Sequence, residues 1–280
     1  MSAALDRPDA TPLPGRLDTE LVRRGLARSR DHAVELIGAG RVRLQGRDIT
    51  KAATKVSSNA TIEVVGSSAD DYVSRGAHKL AGALAEFGPR GLDVRGRRCL
   101  DAGASTGGFT EVLLRAGAGR VVAVDVGHDQ LAPSLRAHPA VEVHERTHIR
   151  DLAPDRVGGV VELLVADLSF ISLTAVLPAL RRLVMTDGDL VLLVKPQFEV
   201  GRQQLGRTGV VRDFALRREA VRTVAQAAWQ LGLGVAGLAV SQLPGPSGNT
   251  EFFLWLRAGA QPLGDAELDR VTGQTKETSS

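Results

Sequence analysis

The sequence predicts an α/β protein in which a small α+β domain precedes a doubly wound, largely parallel sheet. A glycine-rich segment, Leu100 to Phe109 (LDAGASTGGF), follows a short apolar run and precedes a helical pattern. Beyond it, apolar runs alternate with helical stretches as far as residue 256, as expected for repeated strand–helix units. Before it, residues 14–66 combine short helical and strand patterns with an excess of basic residues. A chain of 280 residues is long enough for both domains.

The small domain is predicted to contain two helices and two strands. Residues 17–24 and 29–38 have helical spacing, and residues 41–44 and 61–65 alternate as strands. Residues 1–13 show no periodicity and are predicted to be disordered. The domain itself is therefore assigned to residues 14–66.

Basic charge is concentrated in this small domain. Residues 14–66 hold ten Lys or Arg against six Asp or Glu, a local charge of +4 in a chain whose net charge is +3. The rest of the chain is therefore slightly acidic. Such a local excess is typical of a nucleic-acid-binding module attached to a near-neutral enzyme.

Seven strands are predicted in the second domain, which we assign to residues 74–258 after a polar linker at 67–73. The first strand leads into the glycine-rich segment, and the others cover residues 121–124, 141–143, 161–166, 190–194, 235–240 and 251–256. The helices are predicted near residues 80–87, 110–115, 172–185 and 213–231. Residues 259–280 are predicted to be a C-terminal tail.

The glycine-rich segment predicts a nucleoside cofactor. Its glycines allow the backbone to approach a ligand, and Asp125 at the end of the second strand is placed to accept hydrogen bonds from ribose hydroxyls. The spacing G-x-x-x-G-G differs from the dinucleotide pattern G-x-G-x-x-G, and no G-K-S/T of a P-loop follows. Together with Asp101, this favours S-adenosylmethionine (SAM), with NAD or a glycine turn without any ligand as alternatives.

Composition excludes several other classes of protein. The single cysteine, Cys99, rules out a disulfide framework and a cysteine-rich metal site, and no His, Cys and carboxylate spacing suggests a metal ion. No apolar run approaches the roughly 20 residues of a membrane span. Residues 1–10 lack the basic start and apolar run of a signal peptide. We therefore expect a cytoplasmic protein with no membrane partner and no metal.

Four polar residues are placed to form an active site. Asp167 and Lys195 follow the fourth and fifth strands, Glu251 begins the seventh, and Lys79 lies early in the helix before the first. Because ligands bind at the carboxyl ends of such strands, the fold can bring all four to one cleft. This Lys-Asp-Lys-Glu set resembles the pattern of 2′-O-ribose methyltransferases; the alternative for each residue alone is a surface ion pair.

The chemistry of ribose methylation explains why such a set would be needed. A ribose hydroxyl is a poor nucleophile and must lose its proton as the methyl group arrives. A lysine can accept that proton only where burial and a neighbouring ammonium lower its pKa. Methylation of exocyclic amines or of pyrimidine C5 fits less well, because Asp167 begins Asp-Leu-Ser-Phe and Cys99 lies inside a strand.

The small domain resembles the S4 RNA-binding domain from Arg16 to Val64 (RLDTELVRRGLARSRDHAVELIGAGRVRLQGRDITKAATKVSSNATIEV). That resemblance implies that basic residues of the helical pair and hairpin contact RNA phosphates. In this sequence these residues are Arg16, Arg23, Arg28, Arg30 and Arg41.

Five further motifs extend the resemblance to the TlyA family: YVSRGAHKL, DAGASTGGFT, DLSFISL, KPQFE and GPSGNTEFF. With the S4-like segment they cover the chain from about Arg16 to Arg257. The resemblance implies a Rossmann-like class I methyltransferase that uses SAM to methylate cytidine 2′-hydroxyls of 16S and 23S ribosomal RNA. It also implies a link with susceptibility to capreomycin, and ribosomal subunits as partners. We expect the enzyme to be a monomer.

The same resemblance assigns the site residues. Catalysis is assigned to Lys79, Asp167, Lys195 and Glu251. SAM binding is assigned to Gly103, Ala104, Ser105, Thr106, Gly107 and Asp125, and Asp101 is included because it precedes the glycine-rich turn. Two other functions remain open at this point: a hemolysin-like pore-forming protein, and a non-catalytic RNA-binding factor in ribosome assembly.

Overall fold

The computed structural model describes residues 15–27, 30–65, 72–201, 205 and 209–273, without the side chains of Asp31 and Glu35. The N-terminus predicted to be disordered, 1–13, and most of the predicted linker lie outside these ranges. The chain divides into two compact units, residues 1–71 and residues 72–280.

The first unit is a small α+β domain. Its described elements are β1 (Gly15–Arg16), α1 (Leu17–Arg23), α2 (Arg30–Gly38), β2 (Val42–Leu44), β3 (Arg47–Asp48), β4 (Lys55–Val56) and β5 (Ile62–Val64). Strand β2 lies between β3 and β5 in an antiparallel sheet, and β1 pairs with β4. The helices bury Leu17, Leu21 and Ile37 against Val42 of the sheet, so the domain has its own apolar core.

The second unit contains one seven-stranded sheet with helices on both faces. Its strands are β6 (Arg98–Ala102), β7 (Arg120–Val124), β8 (Val141–His144), β9 (Val161–Ala166), β10 (Val184–Val194), β11 (Leu233–Val240) and β12 (Phe252–Ala258). Its helices are α3 (Ala77–Phe87), α4 (Gly108–Arg115), α5 (Pro133–Arg136), α6 (Leu173–Arg182), α7 (Pro196–Glu199), α8 (Phe214–Gln230) and α9 (Asp265–Thr272).

The strand order is β11-β12-β10-β9-β6-β7-β8. Neighbouring strands from β10 to β8 are parallel, whereas β12 is antiparallel to both β10 and β11. The order reverses at β6, which lies between β9 and β7. A ligand site is expected beyond the carboxyl ends of the strands at such a reversal.

Alternation along the strands divides the core into two layers. Even-numbered residues such as Leu100 and Leu192 pack against α6, α8 and α9. Odd-numbered residues such as Cys99 and Leu193 pack against α3 and α4. Burial of Cys99 raises the pKa of its thiol to about 12, so this cysteine is a core residue and not a nucleophile.

Two of the boundaries that differ from the sequence prediction concern helices of the second unit. Helix α6 ends at Arg182 and not near Met185, because Val184 already pairs with Val161 of β9. The predicted tail, 259–280, includes α9, whose Leu268 and Val271 are buried in the core. Their spacing of three residues places both side chains on one face of the helix.

The predicted linker also contributes to the second unit. The backbone N–H of Val73 donates a hydrogen bond of 2.6 Å to Glu111 of α4. The ring of Tyr72 contacts His78 edge-on, and the guanidinium of Arg115 lies 4.3 Å from its centroid. These contacts place the start of the second unit at Tyr72.

Candidate functional site

A cavity of about 610 Å³ opens at the carboxyl ends of β6, β7 and β9. This volume is in the range of cofactor sites. Its walls combine polar groups with the apolar side chains of Val126, Ile149 and Leu168. The residues predicted from the sequence that line it are Gly103, Ser105, Asp125 and Asp167.

The glycine-rich turn requires glycine at two positions for steric reasons. Gly103 has φ +86°, and a Cβ there would lie 2.5 Å from the carbonyl oxygen of Asp167. Gly107 has φ +97°, and a Cβ there would collide with the side chains of Leu131 and Leu135. Gly103 therefore allows close approach of backbone at the cavity wall, whereas Gly107 allows the turn to pack against α5.

Asp125 fixes the shape of this turn at the cavity wall. Its Oδ2 accepts a hydrogen bond of 2.8 Å from the backbone N–H of Ser105, and its Oδ1 one of 2.7 Å from Gly127. A carboxylate has about four acceptor positions, so capacity remains for a ligand hydroxyl.

Asp101 lies beneath the turn and is fully buried. Its Oδ2 accepts a hydrogen bond of 2.7 Å from the Thr110 hydroxyl, whereas Oδ1 has no hydrogen-bond partner in the described part of the chain. Burial raises the pKa of Asp101 to about 7. The hydrogen bond from the Thr110 hydroxyl opposes this rise, and the nearby charge of Asp167 adds to it. A cationic ligand group would satisfy this carboxylate.

These features fit SAM. The cavity can hold a molecule of that size, Asp125 can accept from ribose hydroxyls, and the partnerless oxygen of Asp101 suits an ammonium. The other predicted cofactor residues do not line the cavity: Ala104, Thr106 and Gly107 belong to the same turn, and Asp101 is fully buried in β6 behind it.

Lys195 follows β10 and lies beside the cavity wall. Its Nζ is 2.6 Å from Oδ1 of Asp167 and donates a hydrogen bond of 2.9 Å to the hydroxyl of Ser169. Only 7% of Lys195 is exposed. Asp167 and Ser169 also line the cavity, so they hold the Lys195 amine between the core and the cavity.

Lys79 and Glu251 form a second buried pair. Nζ of Lys79 in α3 donates a hydrogen bond of 2.6 Å to Oε2 of Glu251, which immediately precedes β12. Glu251 is 1% exposed, and its Oε1 has no hydrogen-bond partner among the described residues.

Strand register connects the two pairs. In the antiparallel pairing of β10 with β12, Val194 lies opposite Phe252. Lys195 and Glu251 are the residues immediately beyond this last pair, one after the end of β10 and one before the start of β12. The Lys195–Asp167 and Lys79–Glu251 pairs therefore lie at neighbouring strand termini.

The sequence analysis missed three residues around Lys195. Ser169 contacts the amine, and Glu199 hydrogen-bonds to Ser172 and to the backbone of Leu173. Phe170 is 92% exposed with φ +63°, and its ring lies 5.3 Å from that of Phe198. These residues could have been suspected from their place in the DLSF and KPQFE motifs, because each motif directly follows the end of a strand. An exposed aromatic ring here can stack on a nucleobase.

The predicted RNA-binding arginines of the first unit are held by internal carboxylates. Arg16 and Arg30 both contact Oδ2 of Asp18, at 2.9 Å and 3.1 Å. Asp18 is 1% exposed, and hydrogen bonding from Arg16 holds its pKa well below the usual range. The arginine side chains are 50% and 62% exposed, so both can also reach a phosphate.

The other predicted RNA contacts have different surroundings. Arg23 pairs with Glu20 at 2.5 Å with its side chain 61% exposed. Nε of Arg41 donates a hydrogen bond of 3.3 Å to the carbonyl of Val65. Arg28 lies outside the described residues.

Within the described ranges, no group of three or more His, Cys, Asp or Glu side chains is arranged to hold a metal ion. None of the helices described there combines the length and apolar character needed to cross a membrane.

Comparison with known proteins identifies relatives of both units. A family profile for FtsJ-like methyltransferases matches residues 72–258, and one for the S4 domain matches residues 15–62. The 16S/23S rRNA (cytidine-2′-O)-methyltransferase TlyA of Mycobacterium tuberculosis is 60% identical over 242 residues, covering 86% of this chain and 89% of that protein.

Two further relatives span most of the chain. Hemolysin A of Brachyspira hyodysenteriae is 36% identical over 85% of this chain and 97% of its own length. The solved structure of a candidate hemolysin from Streptococcus thermophilus has a TM-score of 0.71 at 37% identity, and covers 95% of this chain and 96% of that one. The predicted fold class, a Rossmann-like methyltransferase domain preceded by a small S4 domain, is confirmed.

Proposed function

Since this chain belongs to the TlyA family, in which an S4 domain precedes an FtsJ-like methyltransferase domain, we propose that it methylates cytidine 2′-hydroxyls of ribosomal RNA with SAM. The relatives support the reaction class, and the cavity beside Lys195 supports the chemistry. The residue assignments and the proton transfer are part of the proposal.

SAM, when bound, supplies an electrophilic methyl group. We assign its ribose hydroxyls to Asp125 and its ammonium to the buried carboxylate of Asp101. Val126, Ile149 and Leu168 provide apolar walls for the adenine ring. Because the Asp125 carboxylate is already oriented by two backbone N–H groups, little reorganisation is needed on binding.

Lys195 is assigned to the substrate hydroxyl. In the proposed step Lys195 acts as the neutral amine, whose Nζ lone pair accepts the 2′-hydroxyl proton as the oxygen becomes nucleophilic, and Asp167 and Ser169 keep Nζ at the cavity wall. Glu251, which is paired with Lys79, is assigned with Asp167 to balancing the positive charge of the two lysines. Phe170 offers its exposed ring to the target base.

The first unit is assigned to holding the RNA. Arg16 and Arg30 are fixed by one buried carboxylate while their guanidinium groups remain accessible, which suits contacts with phosphates. Such contacts give affinity but little sequence discrimination, so choice of the target cytidine is assigned to the methyltransferase unit.

The observation that carries this proposal is the ion pair of buried Lys195 with partly exposed Asp167 at the wall of a cofactor-sized cavity. The test is incubation with labelled SAM and isolated 30S or 50S particles, followed by mapping of the labelled nucleotide. Label on a cytidine ribose supports the proposal, and label on a base or on neither particle refutes it. The proposed link with capreomycin susceptibility is tested separately, by comparing drug sensitivity of cells with and without the active chain.

A further inference from the structure

Glu199 connects the segments that follow β9 and β10. It ends α7, the single helical turn that begins after Lys195, and its side chain reaches the start of α6, which follows Asp167. Its Oε1 accepts a hydrogen bond of 2.8 Å from the backbone N–H of Leu173, and its Oε2 one of 2.6 Å from the Ser172 hydroxyl. The segments that follow β9 and β10 are therefore joined at two places. One is the Lys195–Asp167 contact, and the other is the contact of Glu199 with Ser172 and Leu173.

This connection acts on the N-terminus of α6. The Ser172 hydroxyl accepts a hydrogen bond of 3.2 Å from the backbone N–H of Thr174, as an N-cap residue does. The Glu199 carboxylate satisfies the N–H of Leu173, another donor that the first helical turn leaves unpaired. A negative charge is favourable at this positive end of the helix dipole.

The segment from Asp167 to Ile171 is consequently held at both ends. At one end the backbone N–H of Asp167 donates a hydrogen bond of 3.1 Å to the carbonyl of Ala102 in β6. At the other end, Ser172 is bound to Glu199. Asp167 and Ser169, the two partners of the Lys195 amine, lie within this short segment, so their positions depend on both anchors.

The Glu199 carboxylate is only partly exposed, which is an unusual setting for a purely structural cap. Burial raises the pKa of Glu199 above its usual range, although the N–H of Leu173 and the hydroxyl of Ser172 oppose this shift. A raised carboxyl pKa means that the folded protein disfavours the charged form, so the charge itself does not stabilise the fold. We therefore expect the Glu199 side chain to matter through the geometry that its hydrogen bonds impose on the two segments.

We propose that Glu199 is a positioning residue for Lys195, holding the Lys195 amine against Asp167 and Ser169 by tying α7 to the N-terminus of α6. The part of this inference that concerns catalysis rests on the proposed function. The part that concerns the position of the amine does not, because it is a property of the folded chain alone.

The test compares Glu199→Ala and Glu199→Gln with the wild-type full-length chain. Glutamine can accept from the N–H of Leu173 and donate to Ser172, so it should preserve the link. Asp213→Ala is the matched control, because Asp213 accepts an N-cap hydrogen bond of 2.7 Å from Ala215 in α8, and among the described residues no hydrogen bond or ion pair joins it to Lys195, Asp167 or Ser169.

The first measurement is the rate at which formaldehyde and borohydride methylate each lysine, followed by peptide mass spectrometry. Glu199→Ala should raise the labelling rate of Lys195 at least fivefold and leave that of Lys79 unchanged, and Glu199→Gln should match wild type. Lys79 is a suitable internal reference because its side chain is similarly buried, 9% against 8% exposed, but is held by Glu251. Equal increases at both lysines, or no increase at Lys195, would overturn the proposal.

The second measurement is single-turnover methyl transfer to ribosomal RNA together with the SAM dissociation constant. Glu199→Ala should lower the rate at least tenfold with SAM affinity within twofold of wild type, whereas Glu199→Gln and Asp213→Ala should remain within threefold. A slow Glu199→Gln variant would show that the carboxylate charge matters and not the link alone, and an equally slow Asp213→Ala variant would show a merely structural role; either result would overturn the proposal. If wild type transfers no methyl group, the proposed function fails, while the labelling experiment still decides the role of Glu199.

Discussion

Lys79 and Glu251, separated by 172 positions in the sequence, meet as a buried ion pair with 2.6 Å between Nζ and Oε2. The pair joins the helix before the first strand of the large sheet to the start of its last strand. Glu251 immediately precedes β12, whose Phe252 pairs with Val194, the residue before Lys195. The Lys79–Glu251 pair therefore connects two distant elements of the fold. It also lies near Lys195, the proposed proton acceptor.

Lys79→Met should be strongly destabilising. It leaves the Glu251 carboxylate buried without its cation, and loss of one partner of a buried pair costs about 3–5 kcal/mol. The double variant Lys79→Met/Glu251→Gln should recover part of this loss, because no uncompensated charge remains. Urea unfolding of both single variants and the double variant measures the coupling. Strictly additive losses would mean that the two side chains do not stabilise each other.

Asp101 should make the stability of the ligand-free protein depend on pH. Its pKa is raised from 3.8 to about 7 by burial. Between these pH values the folded chain binds a proton that the unfolded chain has released, so this group makes the unfolding free energy fall as pH rises through this window.

Asp101→Asn removes this titration. Relative to wild type, the variant should gain stability between pH 5 and pH 8, and its affinity for SAM at pH 8 should fall because the ammonium loses a carboxylate. Thermal unfolding at the two pH values, with calorimetric titration of SAM, makes the comparison. The same difference in melting temperature at both pH values would show that Asp101 does not titrate in this range.

Asp125→Ala should weaken SAM binding by about 1–3 kcal/mol, the cost of leaving ligand hydroxyls without their acceptor. Part of this loss should come from the turn, because the N–H groups of Ser105 and Gly127 also lose their acceptor. Asp187→Ala is the control, since Asp187 is exposed and lies toward the opposite edge of the sheet. Calorimetry showing equal affinity for both variants would remove Asp125 from the site.

A chain beginning at Tyr72 should fold and bind SAM but should methylate ribosomal RNA poorly. The second unit has its own core, whereas the basic excess lies in the first unit. Because phosphate contacts dominate RNA affinity, their loss should weaken binding and flatten its dependence on salt. Filter binding at several salt concentrations measures this slope. Methylation at the full-length rate by the truncated chain would show that the S4 domain is dispensable.

Sequence reasoning identified the residues whose position follows from general rules of α/β folds. Three of them, Asp125, Asp167 and Lys195, each follow a parallel strand of the sheet. The carboxyl ends of parallel strands lie on the same side of a sheet, where ligands bind. Gly103 was recognisable because it belongs to the turn after the first strand. Lys79 and Glu251 lie on elements that border the same edge, but their direct contact required the folded chain.

Contacts between loops could not be predicted in the same way. Glu199 and Ser172 belong to different strand–helix units, and nothing in either segment alone indicates that they meet. The first half of β10 was also missed, because Val184 and Met185 continue an apparent helical pattern. Pairing of Val184 with Val161 of β9 overrides that local preference.

The most direct test of the account is methyl transfer from labelled SAM to isolated ribosomal subunits by wild type, Lys195→Ala and Lys195→Met. Wild type should label a cytidine 2′-hydroxyl. Both variants should lose at least a thousandfold in the single-turnover rate, about 4 kcal/mol of transition-state stabilisation. They should still bind SAM and RNA, since Lys195 is assigned only to the proton. A variant rate within tenfold of wild type would contradict the assignment of Lys195, and the absence of ribose label from wild type would contradict the proposed reaction.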